Sequence, residues 1–209
     1  MNIYEMTQNE YLEAASSKSP TPGGGSVSAV VAANAAAMVS MVANLTLGKK
    51  GYDDAQDTVR DILGIMGQSM AEIKALTEKD MQAFQRFMDA WKLPSASEEE
   101  KAAKNAAMEH AAQNASSVPL ELCRACVVIL QQAVRLAPIG NKTAISDVGV
   151  GVYLAEAALK AAMLSVDINI PMIREEAFKA ALLAEKARLF AEAEELKLYA
   201  LADVKKRLQ

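Results

Sequence analysis

An aspartate set among apolar residues is the feature of this sequence best suited to chemistry. From Val59 apolar positions recur every three or four residues, through Ile62, Met66, Met70, Ile73 and Thr77, and resume at Phe84, Phe87 and Trp91. At about 100° per residue, Asp80 falls near the middle of that stripe. A carboxyl among Ile73, Phe84 and Phe87 is partly desolvated, which favours its neutral form and raises its pKa. A carboxyl that keeps a proton near neutral pH suits general acid–base work, so Asp80 is the candidate catalytic residue. The competing reading is a structural aspartate satisfied by hydrogen bonds or by a lysine from another helix.

Other residues suit binding. The turn Pro22-Gly23-Gly24-Gly25-Ser26 leads into a helix and can aim backbone N–H groups at an anion or a polar heterocycle. It has neither the GxxxxGK[ST] nor the GxGxxG spacing, and no strand precedes it, so a plain turn before a helix explains it equally well. Asn44-Leu45-Thr46-Leu47-Gly48-Lys49-Lys50 ends that helix with two cations. Lys49 and Lys50 complement the helix dipole there, or pair with a carboxylate-bearing ligand. Asn141 stands in a loop, and Asp147 is a helix cap or a site residue. Cys123 and Cys126 have no second pair, and His110 is the only histidine, so no metal site is expected.

Helices must position these groups, because the apolar period is helical almost throughout. Thr7-Gln8-Asn9-Glu10 and Ser97-Glu98-Glu99-Glu100 read as capping boxes. A second helix is expected from Ser26 to about Leu47, stopped by Gly48, and a third from Asp53-Asp54 to about Trp91. Pro119 reads as the first residue of a separate helix ending near Ala137. Ser146 or Asp147 caps a helix reaching about Val166, and Pro171 opens a last one from Met172 to Arg207. The expectation is all-α: one multi-helix bundle domain spanning residues 1–209, with about seven helices.

Composition narrows the function classes. Lys+Arg 22 against Asp+Glu 26 leaves a net charge of −4, so no basic stripe supports nucleic-acid binding. Two free cysteines and an opening segment without an apolar run fit a cytoplasmic protein. Lys18 and Lys49 bracket 30 residues without a charge. Asn34, Asn44 and Thr46 within that stretch argue for a buried central helix and against a membrane span. A helix buried on all sides in so small a bundle also points to a homodimer.

Read together, these blocks resemble a known family. SPTPGGGSVSA, NLTLGKKGY, Asp80-x-x-Ala83-Phe84 with Lys92-Leu93-Pro94, Val118-Pro119-Leu120, Gly140-Asn141 with Ser146-Asp147, and Ile168-Asn169-Ile170 follow the order of the cyclodeaminase/cyclohydrolase family. That family comprises the C-terminal part of formiminotransferase-cyclodeaminase and stand-alone bacterial relatives. The resemblance covers Tyr4 to the last helix. One departure is Ser165-Val166, where the family pattern has Asn-Val.

The resemblance implies an all-helical dimer acting on a tetrahydrofolate one-carbon adduct, with no permanently bound cofactor and with Asp80 as catalytic acid. It implies release of ammonia from 5-formiminotetrahydrofolate to give 5,10-methenyltetrahydrofolate. The alternative is hydrolysis of the methenyl compound to 10-formyltetrahydrofolate; a further one is a non-catalytic folate- or protein-binding dimer. Gly23, Gly24, Gly25, Ser26, Asn44, Asn141 and Asp147 are the candidates to orient the pterin, and Lys49 and Lys50 to hold the glutamate tail. Nothing in the chain resembles a formiminotransferase, so transfer of the formimino group would need a separate partner.

Overall fold

The computed structural model describes residues 2–209, and among these there are helices and no strands. The α-helices are α1 (Gln8–Ala15), α2 (Gly24–Thr46), α3 (Gln56–Trp91), α4 (Glu98–Leu136), α5 (Ile145–Asp167) and α6 (Glu176–Leu208). One-turn 3₁₀ segments at Asp53–Ala55, Lys142–Ala144 and Ile170–Met172 join them. Both capping boxes form, at Thr7 with Glu10 and at Ser97 with Glu100. Gly48 turns the chain after α2 at φ +68°, a conformation glycine adopts without a Cβ penalty.

Six α-helices stand where about seven were expected, because α4 runs unbroken through Pro119. A proline inside a helix removes one backbone bond and costs about 3 kcal/mol when nothing compensates. Here the carbonyl left without its amide, that of Ala115, accepts a hydrogen bond from Asn169 Nδ2 at 3.3 Å. The hydroxyls of Ser116 and Ser117 bond back to the carbonyls of Ala112 and Gln113 and hold the preceding turn. Two other boundaries also shift. Asn141, rather than Ser146 or Asp147, caps the turn that starts α5, its side chain accepting from the Thr143 amide. Pro171 lies in the 3₁₀ segment before α6, which begins at Glu176.

α2 packs against α3, α4 and α5, and α4 also meets α3, α5 and α6. The core between them is built from small and branched side chains such as Ala32, Val39, Ile62, Met66, Ile129, Leu136 and Leu159. Alanines on α2 and Gly151 on α5 let these helices come close. A Cβ at residue 151 would lie 3.1 Å from the Ala35 carbonyl. α2 is not enclosed on all sides, however: Val27 and Leu45 remain exposed. By length and composition alone α2, α4 and the segment Lys142–Met172 are apolar enough to cross a membrane, yet half or more of each apolar window lies inside the bundle.

Candidate active site

The first turn of α2 meets the middle of α3. Gly25 and Asp80 touch so closely that a Cβ at residue 25 would fall 2.3 Å from Asp80 Oδ1 and 2.5 Å from Oδ2. Only glycine leaves room for the carboxylate there. Ser26, fully buried, donates its hydroxyl to Asp80 Oδ2 at 3.2 Å, and its backbone amide also bonds the carboxyl. The N-cap of α2, Gly23, has no side chain to satisfy the helix amides, so Asp80 serves that end from another helix. Burial raises the Asp80 pKa, and the two Ser26 bonds lower it by less. Among the described residues no lysine pairs with it, so the lysine-paired version of a structural aspartate does not apply there.

Asp80 opens into a cavity of about 300 Å³. Gly23, Gly24 and Gly25 form one side of it, with Pro20 and Thr21 beside them. Phe84 and Phe87, one and two turns beyond Asp80 on α3, supply an aromatic wall. Ile168 and Met172 supply an aliphatic one. A second hollow of about 500 Å³ shares Pro20, Thr21 and Phe84 with the first and extends it along α3 to Gln82 and Gln85. Together they suit a flat heterocycle with a longer substituent, in the size range of small-molecule sites.

Asn169 is the polar residue of this cavity that the sequence reading passed over as a site residue. It is only 9% exposed. Its Nδ2 donates to Ala115 O and, at 2.8 Å, to Ser165 O, so both amide hydrogens are used. The side chain is therefore fixed, with Oδ1 left as an acceptor that no described residue fills. The sequence carried no local signal for it, because the carbonyl it fills lies 54 residues away.

The remaining sequence candidates lie at the opposite end of α2. Twenty-odd helical residues separate the ends, about 30 Å. Lys49 Nζ donates to Asn141 Oδ1 at 2.9 Å and sits over the Tyr52 ring. Asn141 is buried; its amide donates to Thr46 Oγ1 at 2.8 Å and its Nδ2 to Leu45 O at 3.0 Å. The Lys142 amide donates to Tyr52 Oη, and Arg207 Nη1 to the Pro138 carbonyl. Asn44 and Lys50 are exposed nearby, and Asp147 lies in the first turn of α5. Thus Gly23, Gly24, Gly25, Ser26 and Asp80 come together, while Lys49 and Asn141 pair at the other end of α2 and Asn44, Lys50 and Asp147 do not line the cavity. Cys123 and Cys126 are buried and free, and burial pushes the Cys123 thiol up to about 12.

The family model described as formiminotransferase-cyclodeaminase matches residues 7–188, most of the chain and the whole of this cavity. The chain belongs to that family. Methenyltetrahydrofolate cyclohydrolase of Methylorubrum extorquens is 38% identical over 187 residues, covering 90% of each chain. Formimidoyltransferase-cyclodeaminase of Gallus gallus is 32% identical over 197 residues, 94% of this chain but 36% of that one. The chain thus spans about a third of the bifunctional relative. The crystal structure of formiminotetrahydrofolate cyclodeaminase from Thermotoga maritima superposes with a TM-score of 0.89 at 30% identity, over 99% of this chain and all of that one. The family members are folate enzymes of the cyclodeaminase or cyclohydrolase kind, and this chain is an enzyme of that kind.

Proposed function

We propose that this protein is a formiminotetrahydrofolate cyclodeaminase, acting on 5-formiminotetrahydrofolate with Asp80 as its general acid. One observation carries the reading: a partly buried carboxyl, its pKa raised, held by Ser26 at the wall of an apolar cavity. N10 of the substrate attacks the formimino carbon while the N10 proton passes to the formimino nitrogen, giving a tetrahedral carbon that carries N5, N10 and an amino group. Asp80 then gives its proton to the amine nitrogen, the C–N bond breaks, and ammonia leaves with the 5,10-methenyl cation behind it. A positioned acid contributes about 10²–10⁴-fold to such a step. The Gly23–Gly25 turn and Asn169 orient the heterocycle between the Phe84 and Ile168 walls. No permanently bound cofactor takes part.

A second reading, methenyltetrahydrofolate cyclohydrolase, is favoured by the 38% identity to a relative of that name over nearly the whole of both chains. Water then adds where ammonia would leave, and 10-formyltetrahydrofolate is the product. In either case we infer a cytoplasmic homodimer that engages neither nucleic acid nor membrane. A separate formiminotransferase supplies the formimino group where one is required.

The test uses purified protein and 5-formiminotetrahydrofolate, with the methenyl chromophore and free ammonia followed in one tube. Chromophore rising in step with ammonia is expected. No rise, but faster bleaching of the methenyl compound than in buffer, assigns the cyclohydrolase. Silence with both substrates overturns both readings and leaves a binding protein.

A further inference from the structure

The end of α5 brings two polar groups to the Asp80 cavity that the protein leaves unused. Among the described residues that line it, Thr21, Asp80, Ser165 and Asn169 have polar side chains, and none is a cation. A glutamate tail therefore finds no ionic partner here. The cavity is left to the heterocycle, whose faces the Phe84 and Phe87 rings can cover.

Ser165 lies in the last turn of α5, and Asn169 follows one turn later. Elsewhere in the bundle Ser28, Ser40, Thr46 and Ser116 each donate the hydroxyl back to the carbonyl four residues earlier. Ser165 Oγ makes no such bond and has no other partner among the described residues, yet it is not sealed in the packing. A helical serine that keeps its hydroxyl off the backbone presents it to whatever fills the cavity.

Asn169 offers the complementary group. Its Nδ2 uses both hydrogens on the Ala115 and Ser165 carbonyls. Turning the amide over would set Oδ1 against those two carbonyl oxygens, so Oδ1 is held as an acceptor and cannot change role. It too is unpaired among the described residues and reachable from the cavity. The 2.8 Å bond to the Ser165 carbonyl keeps this amide beside residue 165. The wall thus presents a fixed acceptor next to a hydroxyl free to donate.

A ligand edge that answers this pair carries an N–H beside a carbonyl oxygen. The pyrimidine ring of a tetrahydropterin has that edge, N3–H next to the 4-oxo group. We propose that Asn169 Oδ1 accepts from N3–H and Ser165 Oγ donates to the 4-oxo oxygen, so that the two residues select 4-oxo folates over 4-amino analogues. The inference rests on the proposed function and deepens it by naming what reads the ring. The 4-oxo oxygen and N5 are neighbours on the bicycle, so the Ser165 contact also sets how the N5 group stands toward Asp80. A 4-amino ring in the same register turns the N3 lone pair toward Oδ1, a mismatch the fixed amide does not relieve.

The test is calorimetric binding of 5-formyltetrahydrofolate and of its 4-amino-4-deoxy counterpart to the purified protein. In both compounds a formyl oxygen replaces the formimino nitrogen, so no ammonia can leave and binding is read without turnover. Wild type should bind the 4-amino compound at least about thirtyfold more weakly. Ser165→Ala should weaken the 4-oxo compound about tenfold, with Tm unchanged, because the hydroxyl braces nothing and the Ser165 carbonyl stays in place. Asn169→Ala should bring the two compounds within about threefold of each other, since the acceptor that separates them is gone. If that variant fails to fold, Ser165→Ala decides alone. Equal binding of the two compounds by wild type, wild-type affinity for the 4-oxo compound in Ser165→Ala, or a folded Asn169→Ala that keeps the preference would each overturn the proposal. Failure of wild type to bind either compound would overturn it together with the folate reading. Selective, Ser165-dependent binding without turnover of 5-formiminotetrahydrofolate or the methenyl compound would retain the pair and remove the assigned reaction. Turnover without selectivity would retain the reaction and remove the pair.

Discussion

The two ends of α2 look alike in sequence and behave differently in the fold. Each combines glycine with small polar residues, and each is bordered by a group able to carry charge: Asp80 at one end, Lys49 and Lys50 at the other. At the Lys49 end most polar atoms satisfy one another, the buried Arg207 Nε being left without a partner among the described residues. Asn141 joins Leu45, Thr46, Lys49 and Thr143, and Gln56 bonds Thr46 O, Tyr52 O and the Gly48 amide. At the Gly25 end hydrogen bonding stops short. Asp80 has Ser26 alone, and Asn169 Oδ1 has no partner among the described residues, while a cavity lies before both. Polarity alone does not mark a site in this protein. Polarity left incomplete beside an open cavity does, because such a group can still take a ligand as its partner.

The largest effect that would break this contrast is at Asp80. Asp80→Asn should lower kcat by about 10²–10⁴-fold while keeping the fold. Wild-type turnover should decline as pH rises through the raised Asp80 pKa, because the proton to be donated is then lost. The stability consequence has a definite sign. A raised folded-state pKa means the neutral form favours folding: that contribution is full below the ordinary value of 3.8 and is lost as pH rises through the raised one. Thermal melts should therefore show Asp80→Asn more stable than wild type at neutral pH, and the difference closing in strong acid. A variant with full turnover would return Asp80 to the role of a helix cap supplied from α3.

Gly25→Ala should cost about a hundredfold in kcat, since the added Cβ must displace the Asp80 carboxyl. In a helix this substitution alone would gain about 1 kcal/mol by propensity, so a loss of both stability and turnover separates crowding from backbone effects. Wild-type kinetics from this variant would show that the Gly25–Asp80 approach is unnecessary.

Asn169→Ala should lower kcat/KM about tenfold, an effect of about 1.4 kcal/mol in line with one lost hydrogen bond in a dry site. It also frees the Ala115 carbonyl, so a melt must accompany the kinetics. A fall in Tm with unchanged kcat/KM would reduce Asn169 to a brace for Pro119.

At the other end the expectation reverses. Asn141→Ala should destabilise by about 1–3 kcal/mol, measured by urea denaturation, because Leu45 O, Lys49 and Thr143 lose their shared side-chain partner, while the backbone bond to Thr46 stays. Turnover per folded molecule should stay within about twofold, the smallest kinetic effect of the four. A large fall in kcat/KM without loss of stability would erase the contrast and move the Lys49 clamp into the substrate's path.

Several of these features could be read without coordinates. The Thr7 and Ser97 boxes were legible because capping is a matter of three neighbouring residues. The Gly48 stop was legible because a left-handed turn selects glycine locally. Asp80 stood out because a helix converts spacing directly into a face. The Pro119 boundary was misread for the opposite reason: whether a proline ends a helix depends on who satisfies the carbonyl it frees, and that donor, Asn169, lies 54 residues away. The same distance in sequence separates Ser26 from Asp80.

The sequence by itself determined an all-helical chain, the Thr7 and Ser97 caps of two of its helices, the family it belongs to and one carboxyl placed where water is scarce. Each of these follows from local periodicity or from contiguous motifs. Only the tertiary structure decided that Gly25 leaves room for Asp80, that Asn169 is fixed at the cavity by a carbonyl Pro119 leaves free, and that Lys49 and Asn141 satisfy each other elsewhere. Those outcomes rest on hydrogen bonds and van der Waals contacts between helices far apart in the chain. Helical period fixes which face a residue occupies, but packing chooses what that face meets.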